Sequence, residues 1–264
     1  MHLNHSALER VYIRRIVAAD PLGVIVASSV EVAQGLASRG GARPVALVQN
    51  GLPRAAANAP FVDRWSAAAR DASAPRATAG GGTSGAAAAL RWAVIGALSP
   101  LKGQDLAVEA ARHFPEGELL LIGAVPAEHA EWAAALRTSA PANVRFVGEV
   151  VSVPETLARE GVQVVALTSR RAESFSLAAV EGMASSCATL FLTSAGMAEV
   201  CGVTEAPRVE GVEGLVAELR RLRADPEAGL AMATMQYSRV HERYGPSRFA
   251  HEMRAVMQQR LRTT

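Results

Sequence analysis

Cysteine is scarce in this sequence, with only Cys187 and Cys201. Two thiols cannot build a four-thiolate zinc site, and their spacing is not that of a CxxC redox motif. Both lie among apolar neighbours and are expected to be ordinary reduced core residues, which fits a reducing compartment. Aromatic residues make up 5% of the chain, leaving few rings on which bases could stack. An excess of one charge is also missing: 27 Lys and Arg face 25 Asp and Glu, for a formal net charge of +2. That excludes a nucleic-acid binder working through a broad basic surface, and no nucleic-acid partner is expected. No apolar run suits a membrane span. The charge-free stretch from Gly182 to Ala198 is broken by Ser185, Ser186, Thr193 and Ser194, and reads as helix end, strand and turn. The segment from Met1 to Val17 is polar and charged where a signal peptide needs an apolar centre. These absences lead to the expectation of a soluble, cytoplasmic chain.

Several catalytic signatures are absent as well. His2 and His5 stand in HxxH spacing, and His113, His129, His241 and His251 are scattered, with no HExxH or comparable arrangement. A metal site needs three or four converging ligands, so none is expected. Neither a GxSxG elbow nor a GxxxxGK[ST] loop occurs. Gly80 to Gly85 formally matches GxGxxG, but low-complexity sequence precedes it where a dinucleotide fingerprint needs a strand. It reads as linker, and a dinucleotide-dependent oxidoreductase loses its main support.

What is present is an alternation of short apolar runs with longer helical ones. Half of the 264 residues are hydrophobic, enough for one large or two modest domains. Strands are expected at Gly23–Ala27, Val45–Val48, Ala93–Gly96, Glu118–Ile122, Arg145–Val147, Val162–Leu167 and Thr189–Leu192. Helical spacing marks Asp105–His113, Ala127–Leu136 and Leu177–Ala184. The strands are continuously apolar, as expected where helices cover both faces of a sheet. Repeated strand-then-helix order predicts an α/β chain with a doubly wound parallel sheet. After Thr189 the chain becomes mostly helical, with amphipathic segments at Val212–Arg223, Glu227–Tyr244 and Ser247–Leu261, and Pro226 and Pro246 near helix starts.

Ser66 to Ala89 breaks the pattern, being rich in Ala, Gly, Ser and Thr without apolar periodicity. It reads as a flexible linker or insert. The expected organisation is therefore a small front piece over 1–65, a linker over 66–90 and a larger domain over 91–264. The front piece holds about two strands, too few for a doubly wound domain of its own.

Two strand-to-helix junctions carry candidate chemistry. The first runs from Gly96 through Ala97, Leu98, Ser99, Pro100 and Leu101 to Lys102 and Gly103. A glycine at a strand's C-terminal end admits a ligand close to the backbone, and ligands of open α/β sheets bind at that edge. Lys102 is the only lysine in a chain that otherwise uses arginine. It could serve as a point charge for a phosphate or remain a solvated loop lysine. The second junction runs from Thr168 through Arg170, Glu173, Phe175 and Ser176 into a helix containing Leu177 and Glu181. Free amides and the positive dipole end of that helix suit a diphosphate. Glu173 would lie in the loop and Glu181 in the helix body, at different levels of one cleft. Carboxylates accept hydrogen bonds from vicinal hydroxyls, although Glu near a helix start is also a common dipole partner.

Together these segments resemble the C-terminal half of the family 4 (group 1) retaining glycosyltransferases of the GT-B fold. The resemblance rests on Val94-Ile95-Gly96 through Lys102-Gly103, and on the Glu–x7–Glu spacing of Glu173 and Glu181 with Phe175 and Glu181-Gly182-Met183-Ala184 in register. Leu119 to Gly123, Asn143 to Gly148 and Ala195 to Glu199 also match, so the resemblance covers roughly Trp92 to the C-terminus. Val24 to Ser29 and Val48 to Gly51 resemble the segment just before the family's interdomain linker, where Ser66 to Ala89 falls.

The resemblance implies a Rossmann-like donor-binding domain whose donor is a nucleotide-diphosphate sugar. Lys102 would contact the diphosphate beside Gly96, and Glu173 the sugar hydroxyls. Amides around Phe175, Ser176 and Leu177 would face the phosphates and sugar, while Glu181 would bind the ribose. Lys102 and Glu173 would be the catalytic pair, with no cofactor and no bound metal. The final helices would pack back toward the N-terminal domain. Two departures stand out. Ala97 occupies the position where the family usually carries an arginine for the phosphates. Most of the acceptor-side N-terminal domain is also expected to be missing, making 1–65 its remnant. The leading expectation is hexosyl transfer with retention to an acceptor that is a glycan, lipid or small molecule. The alternatives are a half-enzyme subunit that needs a partner chain to supply the acceptor domain, or an inactive fragment.

Overall fold

The computed structural model describes residues 25–27, 45–66, 89–170, 176–192 and 207–261. The elements, in chain order, are β1 (Ile25–Ala27), β2 (Val45–Leu47), α1 (Arg54–Ala57), β3 (Leu90–Ile95), α2 (Gln104–His113), β4 (Gly117–Ile122) and α3 (Ala130–Ser139). They continue with β5 (Val144–Gly148), α4 (Val153–Arg159), β6 (Val164–Leu167), α5 (Leu177–Ala184), β7 (Ala188–Leu192), β8 (Arg208–Val209), α6 (Gly211–Ala224), α7 (Pro226–Tyr244) and α8 (Pro246–Leu261). Short 3-10 turns at Pro100–Lys102 and Ala127–His129 precede α2 and α3.

The main sheet has six strands in the order β5-β4-β3-β6-β7-β8, and every pairing in it is parallel. This is the doubly wound, Rossmann-like α/β sheet that the alternation of runs predicts. β1 and β2 form a separate parallel pair.

Successive side chains of the central strands enter different cores, which is why their sequences are continuously apolar. Trp92, Val94, Leu119, Leu121, Val164 and Ala166 pack on one face with α2 and α6. Ala93, Ile95, Leu120, Ile122, Val165 and Leu167 pack on the other with α4, α5 and α7. Gly182 lets α5 sit close to the sheet, since a Cβ there would lie 3.0 Å from Val165 Cβ and 3.1 Å from Thr189 Oγ1.

The segment ahead of the 66–90 region lies against this sheet body. Leu52 N–H donates to Tyr244 O (2.8 Å), and the Tyr237 hydroxyl donates to Ala59 O (2.9 Å). Gln163 Nε2 donates to Arg64 O (3.1 Å), and the buried indole of Trp65 lies directly against Gly229 on α7. Arg248 on α8 donates to the carbonyls of Gln49 (2.6 Å) and Asn50 (3.2 Å). The last two helices thus contact the 49–65 segment along its length.

Elements absent from the expectation are few and short. α4 opens on Ser152, whose hydroxyl accepts from Glu155 N–H (3.4 Å), with Pro154 in its first turn. That S-x-x-E pattern is a capping signature that marks the helix in the sequence. β8 has two residues, too few for any periodicity, and α1 is a single turn. β3 begins at Leu90, three residues ahead of Ala93, because Leu90 to Trp92 pair with Gly117 to Leu119. Cys187 is a buried free thiol that donates to Val162 O (3.2 Å), and burial pushes its pKa up. Cys201 lies outside the described residues. Among the described residues no helix is long and apolar enough to cross a membrane.

Candidate functional site

The chain runs from β3 outward to β4 and β5, then returns to β6 on the opposite side of β3. The order therefore reverses between β3 and β6, and in open α/β sheets the ligand crevice lies at such a point, outside the strands' C-terminal ends. Both junctions singled out in the sequence leave the sheet at this point: the β3–α2 loop over 96–103 and the β6–α5 loop that begins at Thr168.

Glycines allow these strand ends to approach one another. Gly96 has φ +141°, and its N–H donates to Ile122 O (2.9 Å). Gly123, with φ +154°, packs so tightly on Gly96 that an added Cβ would be 2.1 Å from Gly96 O. Buried Gln104 then fixes the loop from within. Its amide donates to Ala97 O (3.0 Å) and Gly96 O (3.3 Å) while its oxygen accepts from Ser99 N–H (3.3 Å). The aliphatic stem of Lys102 folds back over Gly96, with Cδ and Cε each 3.9 Å from where a Cβ on that glycine would stand. Gly96 and Lys102 are thereby brought together, with the lysine half-buried beside the strand end.

The two loops are joined across the switch point. Thr168 Oγ1 donates to Lys102 O (2.9 Å), and Arg170 N–H donates to Leu101 O (2.8 Å). Gly103, with φ +68°, lies against the Thr168 carbonyl, leaving no space for a side chain. Arg170 donates to Pro100 O (2.7 Å) and makes a two-point ion pair with Asp105 at 2.7 and 2.6 Å.

On the β6 side, Ser176 caps α5 by accepting from Ala179 N–H (3.3 Å). The amides of Leu177 and Ala178 occupy the first turn, where a helix has no carbonyls of its own to offer them. Ala179, Val180 and Met183 face the core with Ala178 packed at its margin, which leaves Leu177 and Glu181 on the other side of the helix. Glu181 is half-buried, and the removal of water around its carboxylate raises its pKa. Glu173 and Phe175 lie outside the described residues. Ser176, Leu177 and Glu181 lie at the cap and in the body of α5, which follows β6, while Gly96 and Lys102 lie in the loop that follows β3.

The sequence assigns no site role to Thr168, Arg170, Gln104 or Asp105. Contact between loops more than sixty residues apart in sequence gives Thr168, Arg170 and Asp105 their place, whereas Gln104 holds the backbone of its own loop. Among the described residues, no group of three or more His, Cys, Asp or Glu side chains clusters.

The raised pKa of Glu181 has a testable consequence. The folded chain binds this proton more tightly than the unfolded chain does, so stability is greatest below the unfolded carboxylate's range and declines as pH rises through the raised pKa. Glu181→Gln removes that cost. Its thermal midpoint should match the native chain at about pH 4 and exceed it at about pH 8. Scanning calorimetry at both pH values checks this, and a variant no more stable at the higher pH would contradict it.

Comparison with known proteins places this geometry. Residues 91–233 match the family model described as glycosyl transferases group 1. A search of curated proteins gives no match. Among solved structures, HepE from Anabaena, crystallised with UDP and glucose, is 16% identical with a TM-score of 0.74, covering 95% of this chain and 67% of that one. Sucrose-phosphate synthase from Thermosynechococcus elongatus is 19% identical with a TM-score of 0.76, covering 99% of this chain and 63% of that one. A glycosyltransferase from Rickettsia africae is 12% identical with a TM-score of 0.74, covering 100% and 69%. The chain thus spans about two thirds of the length of these structures, and at such identities the likeness is one of fold. The family match takes in more than half of the chain, including both loops of the crevice, and the chain belongs to the group 1 glycosyltransferases, with the Rossmann-like sheet of the GT-B fold.

Proposed function

We propose that the crevice between β3 and β6 binds a nucleotide-diphosphate sugar and that the protein transfers its hexosyl unit to an acceptor with retention of configuration. The observation that carries this reading is the junction of a lysine-bearing loop with a capped helix N-terminus at the sheet's switch point. Lys102 and the first-turn amides of α5 would then bind the diphosphate from the two loops that leave the sheet at its switch point. Leaving-group charge would be stabilised there by fixed donors rather than by reorganising water. Glu181 would accept the two ribose hydroxyls, and desolvation strengthens such bonds. Glu173 would hold the sugar hydroxyls, with Phe175 beside it. Residues 91–264 would form the donor-binding unit, with 66–90 as the linker to what precedes it. UDP in the HepE complex makes a uridine diphosphate sugar the first donor to try.

The direct test is to incubate the chain with UDP-α-glucose, alone and with candidate acceptors, and follow the products by proton NMR. Release of UDP with the new linkage, or the first-formed free glucose, in the α configuration would support the reading. A first-formed β product would overturn retention. Turnover appearing only when a second α/β protein is added would favour a donor-binding subunit whose partner supplies the acceptor surface.

A further inference from the structure

Arg170 stands apart from the residues assigned to the donor, yet it ties the β6–α5 loop to the β3–α2 loop. Its N–H, in the loop beyond β6, donates to Leu101 O (2.8 Å). Its guanidinium donates to Pro100 O (2.7 Å) and grips both carboxylate oxygens of Asp105 at 2.7 and 2.6 Å. Pro100–Lys102 is the 3-10 turn that presents Lys102, and Asp105 lies in the first turn of α2 immediately beyond it. One arginine therefore holds the turn by its carbonyls at one end and by the following helix at the other.

The pair is not placed to stabilise the fold. Arg170 and Asp105 side chains are 37% and 36% exposed, and at that exposure an ion pair adds about 1 kcal/mol or less. Two-point guanidinium–carboxylate geometry instead fixes direction as well as distance. Much of the guanidinium is also committed within the protein. Its two terminal nitrogens are directed at Asp105 and Pro100, so it offers a ligand less than its charge suggests.

We propose that Arg170, held by Asp105, is a positioning residue for donor binding: it pins the 3-10 turn so that Lys102 is presented to the diphosphate in a fixed place. This rests on the donor reading given above. Lys102 has a long flexible stem, and a lysine whose backbone anchor wanders must be ordered each time a ligand binds. Arg170 and Asp105 remove that cost without touching the ligand, and their effect passes through Lys102 alone.

The test is a set of calorimetric titrations with UDP and uridine, with GDP and ADP alongside. The proteins are the native chain, Arg170→Ala, Asp105→Asn, their double variant, and each single change combined with Lys102→Ala. Arg170→Ala and Asp105→Asn should each weaken UDP roughly tenfold, the double variant no more than the worse of the two, with uridine unaffected. In the Lys102→Ala background neither change should weaken UDP further. Thermal midpoints should fall by only a few degrees, so the loss of affinity is not a loss of fold.

Two results would overturn the proposal. If Arg170→Ala still weakens UDP without Lys102, the arginine meets the ligand itself; if Asp105→Asn leaves affinity intact, the pair does not position. Hydrogen exchange at residues 100–103 supplies an independent readout, expected to speed up in Arg170→Ala. Should the native chain bind none of the nucleotides, the donor reading fails and the positioning role falls with it. Exchange would then still show whether the pair pins the turn mechanically.

Discussion

Gly103→Ala should destabilise the protein by about 3 kcal/mol, or roughly 6–12 °C in thermal midpoint, and weaken any ligand of the crevice. Two effects combine at this position. A non-glycine residue at φ +68° costs about 1 kcal/mol in the left-handed region. The new Cβ would then meet the carbonyl oxygen of Thr168 at 2.1 Å, a contact with backbone that no rotamer can relieve. Relief requires the β3–α2 and β6–α5 loops to separate, which strains the bonds from Thr168 to Lys102 O and from Arg170 to Leu101 O. Gly148→Ala is the matched control. Its φ is +86°, but nothing lies within 4 Å of an added Cβ, so only the conformational cost of about 1 kcal/mol is expected. Urea denaturation of both variants checks the comparison, and equal losses would mean that the loops are not tightly packed.

Lys102→Ala should weaken UDP by about 2 kcal/mol, roughly thirtyfold, while uridine affinity stays within about twofold of native. The asymmetry follows from where the lysine stands. Its stem lies over Gly96 at the end of β3, remote in sequence from Glu181, to which the ribose is assigned. A charge-assisted hydrogen bond to phosphate contributes more than a neutral one, and Ala97 supplies no second positive side chain nearby in sequence. Lys102 therefore carries more of the diphosphate's stabilisation than one of several cations would. Titration calorimetry with the two ligands settles it, and equal losses for UDP and uridine would count against the phosphate role.

Much of this architecture was legible in the sequence because both-face burial writes itself as apolar runs. Leu119 to Ile122 and Val164 to Leu167 read as strands because successive residues enter the two cores in turn. Leu177–Ala184 was placed to the residue, since Ser176 ends the preceding loop with a capping hydroxyl. The candidate site was legible in part. Gly96 and Lys102 were marked by their place after a strand, and Ser176, Leu177 and Glu181 by theirs at the start of a helix. Spacing along the chain cannot show that Arg170 reaches Asp105 or that Gly103 abuts Thr168. Those contacts exist only once β6 pairs beside β3, and they depend on topology rather than local pattern. Gln104 illustrates the same limit. A polar residue next to a glycine suggests exposure, yet it is buried because its amide satisfies three backbone groups of its own loop.

The most direct measurement is a calorimetric titration of the folded chain with UDP-glucose and GDP-hexoses, repeated for Glu181→Ala. Saturable binding of one nucleotide sugar at a single site, lost in the variant, is the expected result. A chain shown by circular dichroism to be folded that binds none of them, or a Glu181→Ala variant that binds as the native chain does, would contradict a donor site at the β3–β6 switch point.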